Sequence, residues 1–104
     1  MSFRNEILVS VKKRVLFTLH ALDQMNKPER LITQDEVKKV VLRGEIIEDY
    51  PEDPRGHSCL MLGYGDMTRP LHVVCSPKAD YLAVITAYVP SIGEWSEDFR
   101  KRRR

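Results

Sequence analysis

The sequence predicts an α+β domain in which N-terminal helices pack on one face of a four-stranded antiparallel sheet. Three observations support this fold class. Apolar residues recur at helical spacing as far as Arg43, the period becomes alternating after Gly44, and Pro, Gly and Asp divide the second half into strand-length runs. Helices that precede a meander of strands segregate to one sheet face. A chain of 104 residues forms one domain, here residues 1–99, with a basic tail at 100–104.

The first half of the chain begins with two predicted helices. Residues 3–13 carry apolar side chains at helical spacing, and residues 14–17 are a candidate additional short strand because they are rich in β-forming types. Thr18 is suited to cap a helix over 19–26. Pro28 ends that helix because proline cannot donate the helical hydrogen bond.

A third helix and the strands follow. Thr33 and Glu36 have the spacing of a capping box for a helix that reaches about Arg43, and Gly44 fits the position just after it. The period then becomes alternating, which predicts strands separated by turns. The four predicted strands are residues 45–50, 58–64, 71–76 and 81–89.

Alternation assigns the strand side chains to two faces if residue 64 pairs with 70 and residue 76 with 82. The face expected to pack on the helices holds only apolar residues and Gly: Cys59, Met61, Gly63, Leu71, Val73, Cys75, Ala83, Ile85, Ala87 and Val89. The opposite face is expected to be open and is mixed: Ser58, Leu60, Leu62, Tyr64, His72, Val74, Ser76, Val84, Thr86 and Tyr88. The polar groups of this open face predict a site.

Charge is distributed unevenly along the chain. Residues 1–43 carry a net +4, residues 44–99 carry −7, and the last five residues carry +5. A basic helical layer and a basic tail favour contact with a polyanion or an acidic partner. The alternative for the tail is a solvated terminus.

Several function classes lack their sequence signals. The two cysteines are not in a CxxC pair and the three histidines lack ligand spacing, so we expect reduced, buried thiols and no metal site. There is no Gly-rich phosphate loop and no Ser-His-Asp order, so an enzyme of this sequence would work without a cofactor. Neither a membrane span nor a signal peptide is predicted, and a cytoplasmic location is the default expectation.

Metal-free RNA cleavage fits these limits. A base removes the 2′-hydroxyl proton, an acid protonates the 5′-oxygen, and cations and hydroxyls hold the phosphate. The candidate catalytic residues are His20, His72, Arg30 and Arg69, and the candidate substrate-binding residues are Tyr64, Thr86 and Tyr88. Each has a structural alternative: a satisfied strand histidine for His72, an exposed helical histidine for His20, and surface ion pairs for the arginines.

An ordered series of motifs resembles a small bacterial domain family of unknown function. The motifs include Thr18–Met25, Arg30–Thr33, Arg69–Val74 and Ile85–Tyr88. The family is similar to RelE-type toxins, in which helices pack on a curved antiparallel sheet. The resemblance implies a toxin of a toxin–antitoxin pair that cleaves RNA, including ribosome-bound mRNA, and a small CxxC zinc-finger antitoxin as its partner. The positions it marks are His20, Arg30, Arg69, His72, Thr86 and Tyr88.

A second function class stays open at this point. In it the chain is a non-catalytic protein-binding module, whose acidic segment over residues 44–99 meets a basic partner. The position of His20 relative to His72 separates the two classes. Convergence of both histidines in one cleft with Arg30 or Arg69 favours an enzyme, and placement on opposite sides favours a binding module.

Overall fold

The computed structural model describes residues 1–103 and has an α+β fold with three helices and a five-stranded mixed sheet. The helices are α1 (Phe3–Lys13), α2 (Leu19–Met25) and α3 (Gln34–Arg43). The strands are β1 (Val15–Phe17), β2 (Glu45–Tyr50), β3 (Ser58–Tyr64), β4 (Pro70–Pro77) and β5 (Leu82–Tyr88). Arg104, the last residue of the predicted tail, lies outside the described residues. None of the described helices has the length and apolar character of a membrane span.

The helix starts predicted from local signals are confirmed. The Thr18 hydroxyl accepts a hydrogen bond from the Ala21 amide at 3.0 Å. The capping box of α3 is complete, because the Glu36 amide donates to the Thr33 hydroxyl at 3.1 Å and the Thr33 amide donates to the Glu36 carboxylate at 3.0 Å. Each cap satisfies amides that the first helical turn leaves without a partner.

The four predicted strands are present and pair antiparallel with one another, but the prediction of a purely antiparallel sheet is wrong because the sheet is five-stranded and mixed. The strand order is β1-β5-β4-β3-β2, and the candidate short strand over 14–17 is present as β1. It pairs in parallel with β5, with Val15 opposite Leu82 and Phe17 opposite Val84. Pairing between strands so far apart in sequence depends on tertiary packing, so residue alternation carries no signal of it.

The predicted pairing of β4 with β5 is also wrong. Ser76 pairs with Ala83 rather than residue 82, and a bulge follows where Cys75 pairs with Val84 but Val74 pairs with Thr86. The extra residue reverses the alternation within β5. Val84, predicted to lie on the open face, is therefore fully buried in the core, and Ala83, predicted for the core, pairs with Ser76 on the other face.

The core lies between the three helices and one face of the sheet. Its fully or almost fully buried members come from all three helices and from β3, β4 and β5, and include Ile7, Ala21, Met25, Val37, Val40, Met61, Val73, Val84 and Ala87. Each large aliphatic side chain buried there stabilises the fold by about 1.5–3 kcal/mol. Cys59 and Cys75 are buried there as free thiols on paired positions, as expected.

The other face of the sheet is not open as predicted. Residues 91–103, named here the C-terminal cover, lie against it: Trp95 contacts His72, and Arg100 and Arg102 bind carboxylates of β2. The cover folds back on itself, since Trp95 bridges to Arg102 and the Ser96 amide donates to the Lys101 carbonyl at 2.8 Å. The described residues of the predicted basic tail are thus packed on the domain.

Candidate functional site

His72 lies at the centre of the candidate site, fully buried on the face of the sheet opposite the helices. Its Nδ1 is 3.1 Å from the Tyr88 hydroxyl and its Nε2 is 2.9 Å from the Phe99 carbonyl. A carbonyl oxygen only accepts, so Nε2 carries the proton and the Tyr88 hydroxyl donates to Nδ1. Burial lowers the pKa of His72, with a smaller contribution from the charge of Arg102, against the opposing effects of the Phe99 carbonyl and Glu48. The imidazole is therefore held neutral.

Two aromatic rings enclose this imidazole. The Trp95 ring centroid is 4.4 Å away at an interplanar angle of 87°, and that of Tyr88 is 5.3 Å away at 72°. Both are edge-to-face contacts, which stabilise an aromatic pair by about 0.5–1.5 kcal/mol beyond burial. Trp95 is itself buried, with the Arg102 guanidinium 4.7 Å from its ring centroid. The C-terminal cover thus closes over His72.

Ion pairs to β2 fasten the cover at its far end. Arg102 donates from Nε and Nη2 to the two oxygens of Glu48 at 2.9 and 3.0 Å, and Arg100 lies 2.5 Å from Glu45. The bonds from Arg102 lower the pKa of Glu48 the most, and a bond from the Tyr50 hydroxyl also lowers it. Burial, followed by the bond to Glu48, raises the pKa of Tyr50 to about 12. Two residues of the acidic segment 44–99 thus pair with two arginines of the predicted basic tail.

Thr86 and Tyr88 lie near the imidazole, and a bond from Arg69, just before β4, to the Arg30 carbonyl places the Arg30 backbone at the same end of the sheet. Burial raises the pKa of Tyr88, and among the smaller influences the nearby positive charge of Arg30 lowers it. Arg30 is half-buried, and its Nη1 donates to the Gln24 side-chain oxygen at 2.7 Å. Thr86 is half-buried and lies two residues before Tyr88 on β5, opposite Val74. The strand register therefore brings four of the seven predicted site residues to one face at one end of the sheet: His72, Tyr64, Thr86 and Tyr88.

Arg69 lies directly before β4 and forms an ion pair with Glu36 of α3. Its guanidinium donates to both oxygens of the buried Glu36, at 3.1 and 2.8 Å, and to the carbonyls of Arg30 and Leu31 at 2.5 and 3.2 Å. Burial of Glu36 opposes its ionisation, but the bonds from Arg69 and from the amides of Thr33 and Asp66 dominate and lower its pKa to about 2. Arg69 thus ties the loop that contains Arg30 to α3, and all three of its guanidinium nitrogens donate hydrogen bonds.

His20 lies apart from His72, whereas Tyr64 is on the same face of the sheet as His72 and is its diagonal neighbour on the adjacent strand β3. His20 is exposed on α2, whose buried residues Ala21 and Met25 enter the core on the helical face. The two histidines therefore do not converge in one cleft, and this is the placement expected of a binding module rather than of an enzyme that uses both. Tyr64 is 46% exposed at the end of β3, beside a cavity of about 290 Å³ that Lys39, Arg43 and Thr68 also line.

The sequence reasoning missed four contributors to this site: Glu48, Trp95, Phe99 and Arg102. Opposite charge was the available signal, since a segment of net −7 precedes a tail of net +5. The net charges predict that the two segments attract each other. They do not predict which residues pair, because charges act over a range of several ångströms. Within residues 1–103, no group of three His, Cys, Asp or Glu side chains converges as metal ligands would.

Comparison with known proteins identifies a family for most of the chain. Residues 17–89 match the model of a family described as a domain of unknown function, DUF4258. No curated protein and no solved structure matches. The matched region contains all seven predicted site residues and stops before residues 91–103, so the C-terminal cover lies outside it. The predicted uncharacterised family is confirmed, and the likeness to RelE-type toxins stays a prediction.

Proposed function

The chain belongs to the DUF4258 family, and we propose that it is a metal-free endoribonuclease of the RelE toxin type, with His72, Tyr88 and Arg30 at its catalytic centre. The observation that supports this most is the 3.1 Å hydrogen bond between His72 Nδ1 and the Tyr88 hydroxyl. A neutral imidazole, a hydroxyl and a guanidinium are the groups that phosphodiester cleavage without a metal requires.

The chemistry depends on the second nitrogen of the ring. When Nε2 is released from the Phe99 carbonyl, the bond to Tyr88 can reverse, so that Nδ1 donates to the hydroxyl oxygen and Nε2 accepts a proton. The lowered pKa of His72 keeps it unprotonated near pH 7, as a general base must be.

The proposed reaction follows from these roles. Nε2 of His72 takes the 2′-hydroxyl proton, the 2′-oxygen attacks phosphorus, and the bond to the 5′-oxygen breaks, which leaves a 2′,3′-cyclic phosphate and a 5′-hydroxyl. The 5′-oxygen takes its proton from water, because His20 lies on the helical side of the sheet, away from His72. Arg30 stabilises the charge on the phosphate, Thr86, Tyr88 and Tyr64 contact the RNA, and Arg69 positions the Arg30 loop.

The biological setting of this proposal follows from the sequence resemblance. The protein acts in the cytoplasm on RNA, including mRNA on the ribosome, and a small antitoxin of the CxxC zinc-finger kind inhibits it. The net +4 of residues 1–43 supports RNA as the substrate class, because cations of a helical layer attract the phosphate backbone.

Purified protein and RNA in EDTA test the ribonuclease proposal. We expect cleavage with 2′,3′-cyclic phosphate ends, and Tyr88→Phe and His72→Gln to slow it about 100-fold or more, the usual contribution of a proton-transferring group. His57→Gln is the matched control, because His57 is a histidine of the β2–β3 loop that pairs with Asp49. RNA left intact by the wild-type protein, with and without ribosomes, contradicts the proposal.

A second candidate function has one specific observation in its favour. Glu45 and Glu48 already hold two arginines of the chain itself, so this face accepts an arginine-rich segment. The protein would then be a non-catalytic module that binds a basic partner. Expression without toxicity, together with a complex with the cognate partner that survives His20→Ala and His72→Gln, supports this module. Loss of that complex in Glu48→Gln locates the binding.

A further inference from the structure

We propose that residues 96–103 of the C-terminal cover bind the phosphates of single-stranded RNA, and that this binding lifts them off β2 and exposes His72. The inference rests on the proposed function, for which it names the means of access to the catalytic centre. Its starting observation is that His72, fully buried in this state, is held under the cover by the Phe99 carbonyl at 2.9 Å.

The cover is anchored at Trp95, and residues 96–103 are held by ion pairs to β2 and by backbone bonds to the residues around Trp95. Trp95 is 3% exposed and forms the fixed end. Beyond it, Arg100 and Glu45 are each 47% exposed, and Arg102 and Glu48 are 60% and 24% exposed. Ion pairs this close to solvent are screened by salt and hold their partners weakly, so a competing anion can displace the carboxylates.

Phosphate is a suitable competitor for these arginines. The Arg102 guanidinium binds Glu48 through two parallel N–H donors, and a phosphate accepts the same pair of bonds. Lys101 and Arg103 extend the cluster to four consecutive cations over residues 100–103, three of whose side chains already donate to anionic or carbonyl oxygens. Consecutive cations along an exposed segment match the regular charge of a nucleic-acid strand.

Backbone strain in the cover favours release. Phe99 has a φ of 62°, in the left-handed region that residues other than glycine rarely adopt. This conformation belongs to the turn in which the Phe99 amide donates to the Ser96 carbonyl while its own carbonyl accepts from His72. Strain of this kind persists only where surrounding contacts impose it. Loss of the two ion pairs removes contacts that hold the turn closed.

The surface beneath the cover suits RNA on one side only. Glu45, Leu62 and His72 occupy paired positions on β2, β3 and β4, so the carboxylates left by the arginines lie two strands, about 10 Å, from His72. Tyr88 on β5 is on the far side of His72 from them. RNA that enters along β4 and β5 therefore reaches the imidazole on the side away from the acidic strand.

Chemical modification of histidine tests the cover without any need for cleavage. Diethyl pyrocarbonate reacts with accessible neutral imidazole, and the exposed His20 is an internal reference in the same chain. In the free protein we expect His72 to react at least about tenfold more slowly than His20, because modification requires local opening. A saturating 2′-O-methyl oligouridylate, which cannot be cleaved through its 2′-oxygen, should bring the His72 rate up to that of His20.

Matched variants separate the cover from general loosening of the fold. Arg102→Gln and Glu48→Gln each remove the same ion pair and should expose His72 without any oligonucleotide, with an unchanged circular dichroism spectrum. Arg55→Gln is the control, because it removes an exposed ion pair, to Asp53, in the β2–β3 loop.

The outcomes distinguish this inference from the proposed function. If the oligonucleotide is shown to be bound and His72 stays protected, the proposal that RNA lifts the cover is wrong. Equal exposure by sodium chloride at matched ionic strength, or exposure by polyglutamate but not by the oligonucleotide, overturns RNA as the ligand. Exposure by the oligonucleotide together with intact RNA in the cleavage assay supports the cover and overturns the ribonuclease. Cleavage by a protein whose His72 stays protected overturns the cover alone.

Discussion

The Nε2 atom of His72 donates a hydrogen bond of 2.9 Å to the carbonyl oxygen of Phe99, a residue with left-handed backbone geometry. This contact joins the middle of the sheet to the C-terminal cover. It also fixes the tautomer of the ring, since the proton on Nε2 leaves Nδ1 to accept from Tyr88. The state of the imidazole is therefore set by a segment that lies outside the region matched by the family.

The burial of His72 predicts that the protein loses stability as the pH falls below about 6.5, the ordinary pKa of histidine. Burial lowers the pKa of His72 in the folded protein, so the unfolded chain binds a proton that the folded chain resists. The contribution is fully present above pH 6.5 and is lost as the pH falls through the folded-state value. Urea unfolding at pH 7.5 and 5.5 measures it, and His72→Gln should flatten this part of the profile. An equal slope in wild type and variant contradicts the prediction.

The clamp between Glu36 and Arg69 predicts a second loss at lower pH. The pKa of Glu36 lies at about 2 rather than 4.5, so its stabilising contribution is present above pH 4.5 and is lost as the pH falls towards 2. Glu36→Gln should lower the free energy of unfolding by about 3 kcal/mol at pH 7, because it leaves the Arg69 charge without its partner. Glu29→Gln, at an exposed carboxylate, is the control. Denaturant unfolding measures the free energy of unfolding of both variants. Similar values for the two would contradict a stabilising clamp between Glu36 and Arg69.

Gly65 provides a separate test of how tightly this clamp packs. A Cβ at residue 65 would collide with the Glu36 carboxylate and lie 2.7 Å from Leu71 Cδ1, whereas a Cβ at Gly93 meets nothing within 4 Å. We expect Gly65→Ala to cost about 1–3 kcal/mol through overpacking, and Gly93→Ala to stay within about 0.5 kcal/mol of wild type. Thermal unfolding of the two variants measures the difference. Equal melting temperatures would show that the turn at residues 65–69 can move away from α3.

The parts of the fold that depend on local signals were predictable, and those that depend on distant partners were not. Thr18 and the Thr33–Glu36 pair fix helix starts through bonds within four residues, so their spacing in the sequence is sufficient. The parallel pairing of β1 with β5 joins residues far apart in the chain, and no local pattern encodes it.

The sequence predicts which residues share the face of the candidate site, but not that this face is covered. His72, Thr86 and Tyr88 share a sheet face through the two-residue period, which the sequence displays. Whether that face is open depends on where residues 91–103 go, and this is decided by the burial of Trp95 and by ion pairs formed across about 54 residues. Likewise, the sequence around Arg69 shows no carboxylate that would occupy its guanidinium. The buried carboxylate that does so comes from another element, α3, and could not be foreseen from the local pattern.

The bulge in β5 yields the last prediction, which separates the observed register from plain alternation. Alternation places Ala83 in the core and Val84 on the open face, whereas in the structure Val84 is fully buried and Ala83 is half-buried. Val84→Thr should therefore cost about 1–3 kcal/mol, since it buries a hydroxyl among apolar neighbours without a partner. Ala83→Ser adds the same group beside Ser76 and should change stability by less than about 0.5 kcal/mol. Urea unfolding of both variants measures the order of the two effects. A larger loss of stability from Ala83→Ser than from Val84→Thr would contradict the bulge and support an uninterrupted alternation in β5.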